Sequence, residues 1–315
     1  MGRSADIKVG TLCNNNCRFC AQAMYRMYNK TTQEIIKDLE AAKNDGCDRV
    51  IFTGGEPTIR RDILGLVRYA KKLGFDVIQI QTNGRMFYYR KFCEQMIEAG
   101  ANEFALALHG PTPEVHDFLT RAPGSFKQTV MGIKNLKSLG QKVIMNSVVT
   151  KPNYRFTPDT ARLFVALKVD QFQFAFVHGT GNAKVYFDSM MPRMSLAVPY
   201  LKKALQIGID AGIPVMVEAV PFCLLKGYEK YVSDLYIPPS EVREYEHFFP
   251  KFEETRKQIK RKFPQCKQCK YDLICEGPWM EYPDRFGSDE FKPVPGEKIK
   301  SVEELFEEYE NEHGR

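Results

Sequence analysis

The sequence predicts an α/β fold: a parallel sheet covered by helices, with a smaller loop-rich region at the C-terminal end. Three observations carry that expectation. Up to Val177, short β-rich runs alternate with amphipathic stretches of helical period. Gly46, Gly74, Gly100 and Gly140 each close a helical run just before the next strand. The resulting repeat of about 30 to 40 residues is the length of a βα unit.

Taken in order, the expected strands cover residues 7–10, 49–53, 77–81, 103–108, 142–149 and 171–177. The helical patterns between them cover 32–44, 62–73, 88–99, 125–139 and 160–167. Runs such as 77–80 and 143–145 are apolar without strict alternation, as parallel strands covered on a face are. These βα units are too few for a closed eight-fold barrel, which takes ~250 residues. An open, partial barrel or a doubly wound sheet remains, and either places its chemistry at the carboxyl ends of the strands. Beyond Val177, a helix is expected over 195–211, one more β-rich run over 214–219, and a polar helix over 241–262. The chain is therefore read as a core over 1–189 and an appended region over 190–315 that is too loop-rich to rest on apolar packing alone.

Hydrophobic residues make up 43% and charged residues 27% of the 315, the balance of an ordinary globular protein. No run approaches the ~20 apolar residues of a membrane-spanning helix. The N-terminus enters a strand with no apolar secretory signal, so a cytoplasmic protein without a membrane partner is expected. The net charge of +6 is mild, and basic residues are interleaved with acid, as in Glu253-Glu254-Thr255-Arg256-Lys257. That pattern lacks the basic stripe of a nucleic-acid-binding protein.

The nine cysteines are the most informative part of the composition. Cys13, Cys17 and Cys20 crowd together, as do Cys266, Cys269 and Cys275, while Cys47, Cys93 and Cys223 stand alone. An odd total in clusters fits metal ligation in a reducing compartment better than a disulfide framework. Cys13-Asn14-Asn15-Asn16-Cys17-Arg18-Phe19-Cys20 follows directly on the first expected strand. Three thiolates so spaced can face one cubic iron–sulfur cluster and leave its fourth iron open, whereas structural zinc wants four protein ligands. Around Cys266-x2-Cys269-x5-Cys275, Cys223 can complete four ligands, and the spacing admits either zinc or iron–sulfur. Cys93 sits in a helical pattern as a small buried residue, and Cys47 has no partner nearby.

C-x3-C-x-aromatic-C after a first strand, with Phe19 in the aromatic position, resembles the signature of the radical S-adenosylmethionine (SAM) superfamily. Gly54-Gly55-Glu56-Pro57, ending the second strand, resembles its GGE motif. The resemblance implies a partial (β/α)6 TIM-like barrel in which Cys13, Cys17 and Cys20 hold a [4Fe–4S] cluster whose open iron chelates SAM. It implies that Gly54 and Gly55 let backbone approach the ligand, and that Glu56 or strand-end carbonyls accept from the SAM ammonium. Thr82 and Asn83 resemble a TNG turn near the ribose, although an ordinary Asn-Gly turn accounts for them too. His109, in an LHG element, would contact SAM or substrate, although a local hydrogen bond accounts for it equally, and Asn146, on the fifth strand, would face the SAM site in the same way. Gly179, in the glycine-rich turn from His178 to Ala183, would border the adenine. In this company the second cysteine group resembles a shortened SPASM, or twitch, domain with an auxiliary [4Fe–4S] cluster on Cys223, Cys266, Cys269 and Cys275. Trp279, the one tryptophan, would cover that cluster or pack beside it.

The implied activity is reductive cleavage of SAM to a 5′-deoxyadenosyl radical that takes a hydrogen atom from a peptide, or from a small-molecule or cofactor precursor. A reductant such as ferredoxin or flavodoxin would supply the electron, and the auxiliary cluster would move an electron or anchor the substrate. Two other readings compete. A non-catalytic iron–sulfur or SAM-binding scaffold would have no need of the intact cysteine triple and GGE element. An RNA-modifying enzyme would bind RNA with strong salt dependence. Tyr25, Arg26, Tyr28 and Arg85 follow strand ends where a substrate would sit, and no general acid or base is assigned.

Overall fold

The computed structural model describes residues 2–25, 27–245 and 247–313, so Arg26 lies outside the described residues. The strands are β1 (Arg3–Lys8), β2 (Cys47–Thr53), β3 (Val77–Thr82), β4 (Glu103–Ala107), β5 (Lys142–Val149), β6 (Gln171–Phe176), β7 (Val215–Glu218), β8 (Ser240–Arg243) and β9 (Phe248–Phe249). They form one sheet in the order β7-β6-β5-β4-β3-β2-β1-β8-β9. Neighbours from β7 through β8 pair in parallel, and β9 pairs antiparallel with β8. The sheet is an open, partial barrel.

The helices are α1 (Thr32–Asn44), α2 (Ile63–Lys72), α3 (Arg90–Ala99), α4 (Pro113–Thr120), α5 (Ser125–Ser138), α6 (Thr157–Ala166), α7 (Gly181–Val185), α8 (Phe187–Met190), α9 (Met194–Asp210), α10 (Phe252–Gln258), α11 (Glu281–Phe286) and α12 (Val302–His313). Local chemistry sets their ends. Thr31 accepts from the Glu34 backbone at 3.2 Å while Glu34 accepts from the Thr31 backbone at 2.6 Å, a reciprocal cap that starts α1. Among the described residues no helix is long and apolar enough to cross a membrane.

Alternation along each strand divides the two faces. Ala5, Ile7, Val50, Phe52, Ile80, Phe104 and Leu106 are fully buried on the side that packs under the helices. The opposite phase carries Ser4, Asp6, Arg49, Gln79, Gln81, Glu103, Asn146, Gln173 and Glu218 into the barrel lumen. A polar lumen is costly unless occupied or internally paired, and here it sits beneath the carboxyl ends of the strands.

The sheet is larger than six strands, because the chain beyond residue 190 supplies both of its flanks. β7 extends it past β6, and β8 docks in parallel on β1, pairing Ser4 with Ser240 and Ile7 with Arg243. The polar helix expected over 241–262 therefore begins as a strand, and helix covers Phe252–Gln258 alone. Tertiary pairing explains the change. Buried Glu241 is held by Arg3 at 3.1 Å and Arg243 at 2.6 Å, so a sequence that looks solvated is satisfied within the sheet.

Candidate active site

The first cysteine loop crosses the top of β1 and is fastened from three sides. On one side the amide of Gly55 donates to Gly10 O at 2.7 Å and that of Glu56 to Leu12 O at 2.8 Å. A Cβ on Gly54 would strike the Gly10 carbonyl and one on Gly55 would strike Thr11 and Leu12, so both glycines are needed for this approach. On the second side Asn16 and Arg18 donate to the carbonyls of Thr120 and Leu119, each at 2.9 Å. On the third, Asn182 donates through its amide nitrogen to Cys20 O at 2.9 Å and through its side chain to Cys17 O at 2.7 Å.

So held, Cys13, Cys17 and Cys20 line one cavity of about 290 Å³ together with Phe19, Gly54, Gly55, Gln81, Thr82, Asn83, Ala107 and His109. Burial pushes the Cys13 thiol up to about 11, and the neighbouring Glu56 and Cys20 add to the shift. The Asn83 amide lies 3.9 Å from Cys13 Sγ and donates to Asn14 at 2.6 Å. Phe19 meets the His109 ring edge-on at 4.7 Å.

His109 is neutral, because burial depresses its imidazole well below the usual range, with His116 adding to the effect. Its Nδ1 accepts from the Val148 amide at 3.1 Å, which assigns the ring proton to Nε2. The wall of the cavity thus holds an uncharged donor.

Glu56 faces elsewhere than sequence reasoning expects. Its Oε1 accepts from the Thr58 amide at 3.0 Å, Thr58 Oγ1 at 2.5 Å and Thr82 Oγ1 at 2.7 Å, and its Oε2 accepts from the Asn83 amide at 2.7 Å. The carboxylate pins the turn after β3 to the turn after β2 and is absent from the cavity wall. The Thr82 hydroxyl is spent on Glu56 and on the Gly84 amide at 3.0 Å.

Asn146 and Gly179 also stand apart from the cysteine-lined cavity. Asn146 lines the lumen below, with a buried Oδ1 that has no partner. Gly179 packs near Phe187, Glu281 and Met191, whereas the glycine that touches the cysteine loop is Gly181. Arg85 is tied to Asn14, to Asn15 at 2.9 Å and to Gln128 at 2.6 Å, so it props the loop. Tyr28 packs edge-on against Tyr245 at 4.5 Å.

The second group converges as well. Cys223 lies in a short turn after β7, and with Cys266, Cys269 and Cys275 it lines one pocket closed by Phe263, Tyr271 and Phe291. Burial, with the thiols of Cys275, Cys269 and Cys266 adding to it, pushes Cys223 up to about 12, so the other three are within electrostatic reach of Cys223. Among the described residues no group of three or more His, Cys, Asp or Glu side chains is placed to hold a single metal ion. The thiols instead wall cavities. Trp279 stacks on His178 at 4.2 Å and donates to Phe176 O at 3.2 Å, so it joins this region to the end of β6. Cys93 donates to the Phe87 carbonyl at 3.2 Å inside the core, and Cys47 is buried.

Several of these contacts leave no mark in the sequence. Asn182 on the cysteine loop and His178 on Trp279 join residues far apart in the chain. One signal for the lumen is present: Ser4-x-Asp6-x-Lys8 places polar side chains in one phase of the first strand.

Comparison with known proteins agrees with this geometry. Residues 7–164 match the family model of the radical SAM superfamily. The chain is 32% identical over 174 residues to the AdoMet-dependent heme synthase of Oleidesulfovibrio alaskensis, covering 54% of this chain and 44% of that protein. It is 30% identical over 179 residues to a protein of Saccharolobus islandicus named "Probable GTP 3',8-cyclase", covering 56% and 57%. This chain therefore spans about half the length of these relatives. Among solved structures, Streptococcus suis SuiB bound to its precursor peptide SuiA superposes with a TM-score of 0.60 at 18% identity, over 76% of this chain and 56% of that one. The structure of anSMEcpe with bound AdoMet gives a TM-score of 0.55 at 16% identity, over 68% and 63%. The structural likenesses establish the shared fold. With half of its length matched in sequence and the three thiols gathered at the carboxyl ends of an open parallel barrel, the chain belongs to the radical SAM superfamily.

Proposed function

We propose that this protein takes a hydrogen atom from a peptide or small-molecule substrate held in the barrel lumen. The supporting observation is that the cysteine-lined cavity and the lumen share Gln81 and Ala107 in their walls, so a ligand on the thiols would look directly into a substrate chamber. Cys13, Cys17 and Cys20 would hold the SAM-binding [4Fe–4S] cluster. They fit it: three thiols face one cavity with no fourth cysteine among its lining residues. When bound, this pair of cofactors supplies an electron and the 5′-deoxyadenosyl radical that it releases from SAM.

The chain's own residues prepare the site. Gly54 and Gly55 bring backbone close to the ligand, Phe19 excludes water, and His109 offers its Nε2–H without charge. Glu56 acts as a positioning residue for Asn83 rather than as a ligand to SAM. Asn146 would act on the substrate side, in the lumen. Cys223, Cys266, Cys269 and Cys275 would hold an auxiliary [4Fe–4S] cluster: four thiols line one pocket, a donor set that zinc also accepts, and the company of a radical SAM core favours iron–sulfur. A fully ligated cluster favours electron transfer over substrate anchoring. On this reading residues 190–315 act as the auxiliary region of a core over 1–189. A reduced protein such as ferredoxin or flavodoxin would deliver the electron in the reducing cytoplasm, where the free thiols persist.

Peptide substrates draw support from the fold shared with SuiB, solved with a precursor peptide. The heme synthase and cyclase names keep a small-molecule precursor in view. Anaerobic reconstitution tests the proposal. The wild type should carry about eight irons and a Cys266→Ala/Cys269→Ala variant about four. With SAM and dithionite, both should form 5′-deoxyadenosine, and Cys13→Ala should not. If wild type with its clusters confirmed gives no more 5′-deoxyadenosine than Cys13→Ala, the proposal fails.

A further inference from the structure

The lumen is a cavity of about 710 Å³ whose floor and upper wall differ in charge balance. At the floor, Glu103 is gripped by Arg49, by Lys142 at 2.5 Å and by Gln79 at 2.5 Å, so both cations there are spent on a carboxylate. The upper wall carries two acids without such matching. Asp6, on β1, has a buried Oδ1 with no partner. Its neighbouring cations are engaged elsewhere, Lys8 with Glu244 and Lys30 with Asp38 at 2.6 Å. Glu218, at the end of β7, accepts from Gln173 at 3.2 Å. Behind it, Lys260 and Arg256 are shared between Asp234 and Glu276.

Two carboxyl groups thus line one cavity while the cations beside them are neutralised by other acids. Burial lifts both above the ordinary carboxylate range, Asp6 to about 7, outweighing the pull of Lys8 and Lys30 on Asp6 and of Lys260, Arg256 and His178 on Glu218. Asn146 adds a third acceptor, its Oδ1 buried and unpartnered. Buried acceptors of this kind call for a ligand that donates hydrogen bonds, and buried carboxylates for one that brings positive charge.

We propose that the lumen holds a cationic nitrogen group of the substrate, an ammonium or guanidinium such as a lysine or arginine side chain carries, with Asp6 and Glu218 as the unmatched acids of its wall. This rests on the lumen being the substrate chamber. It also separates substrate classes. A nucleoside triphosphate needs unspent cations, and Arg49, Lys142 and Lys8 all have carboxylate partners.

The test is calorimetric titration of the reconstituted, SAM-loaded protein with two probes, Nα-acetyl-lysine methylamide and Nα-acetyl-norleucine methylamide. They differ in little but the charged nitrogen. The lysine probe should bind about tenfold tighter or more, and Asp6→Asn and Glu218→Gln should each remove most of that preference. If one variant lacks a wild-type melting transition, the other decides. Equal binding of the two probes, a preference kept in both variants, or tighter binding of GTP than of the lysine probe overturns the proposal. Formation of 5′-deoxyadenosine is measured alongside. Its persistence without a probe preference removes the cation site alone, whereas a preference without 5′-deoxyadenosine removes the radical reading and leaves the site standing.

Discussion

Glu56 is buried beneath the strand ends with both oxygens committed to Thr58, Thr82 and Asn83. Replacement by alanine would strand the amides of Thr58 and Asn83 and the Thr82 hydroxyl in a place water cannot easily reach. Each orphaned buried donor costs roughly 1–3 kcal/mol. Glu56→Ala should therefore lower unfolding free energy by about 3 kcal/mol or more in urea, and it should weaken SAM binding by loosening Asn83. Glu56→Gln keeps one acceptor but turns an NH2 toward a donor, and should fall between the two. Wild-type stability in Glu56→Ala would show that the carboxylate is not the pin described here. The acid after a double glycine is visible in the sequence, but its role is not. A carboxylate beside a ligand pocket reads as a ligand contact until the hydroxyl and amides that consume it, from another strand's turn, are seen.

At the scale of elements, the cysteine loop is clamped between two glycine turns that come from opposite ends of the parallel run. The β2 turn presses from Gly54 and Gly55, and the turn opening α7 presses from Gly181. Gly181 has φ +55°, and a Cβ there would run into the carbonyls of Cys20 and Ala21. Left-handed backbone alone costs a non-glycine residue about 1–2 kcal/mol, and the collision adds to it. Gly181→Ala should keep the circular dichroism of the sheet while iron falls from about eight toward about four per chain, because the loop that presents the first three thiols is displaced. Full iron loading with unchanged SAM affinity in that variant would sink the clamp. The alternation of βα units made the first six strands readable in order, since glycine punctuation and apolar runs are local signals, although the one expected over 7–10 runs over Arg3–Lys8. Which glycine of the turn from His178 to Ala183 must avoid a Cβ against the cysteine loop is not local: it is Gly181, and the Cys20 carbonyl that decides it lies far away in sequence. β8 was hidden too, because its acid is made acceptable by Arg3 on the neighbouring strand and Arg243 on its own.

For the whole molecule, the cost of a C-terminal region poor in regular structure has to be met by something besides apolar packing. From Lys262 to Lys300 the chain holds one short helix, α11, and a single turn over Pro264–Gln268. It is anchored to the barrel by Trp279 on His178 and Phe176, by the Met194 amide on Tyr282 Oη at 2.7 Å, and by Arg285 on Asp188 at 2.9 Å. Between these anchors sit Cys266, Cys269 and Cys275, with Cys223 reaching in from the end of β7. Metal ligation by all four would tie three separate turns to the sheet, and binding energy of that kind is folding energy for the segment. Native-state hydrogen exchange of the loaded protein against chelator-stripped protein measures this directly. Stripping should speed exchange about tenfold or more in peptides covering 221–230 and 262–300, which corresponds to ~1.4 kcal/mol or more of lost local stability. Peptides from β2 to β5, whose outer faces are buried under helices, should exchange as before. The Cys266→Ala/Cys269→Ala variant should reproduce that pattern with the first cluster still in place, and so assign it to the second. Loss of protection spread evenly over the sheet would mean instead that the C-terminal region and the barrel unfold as one unit.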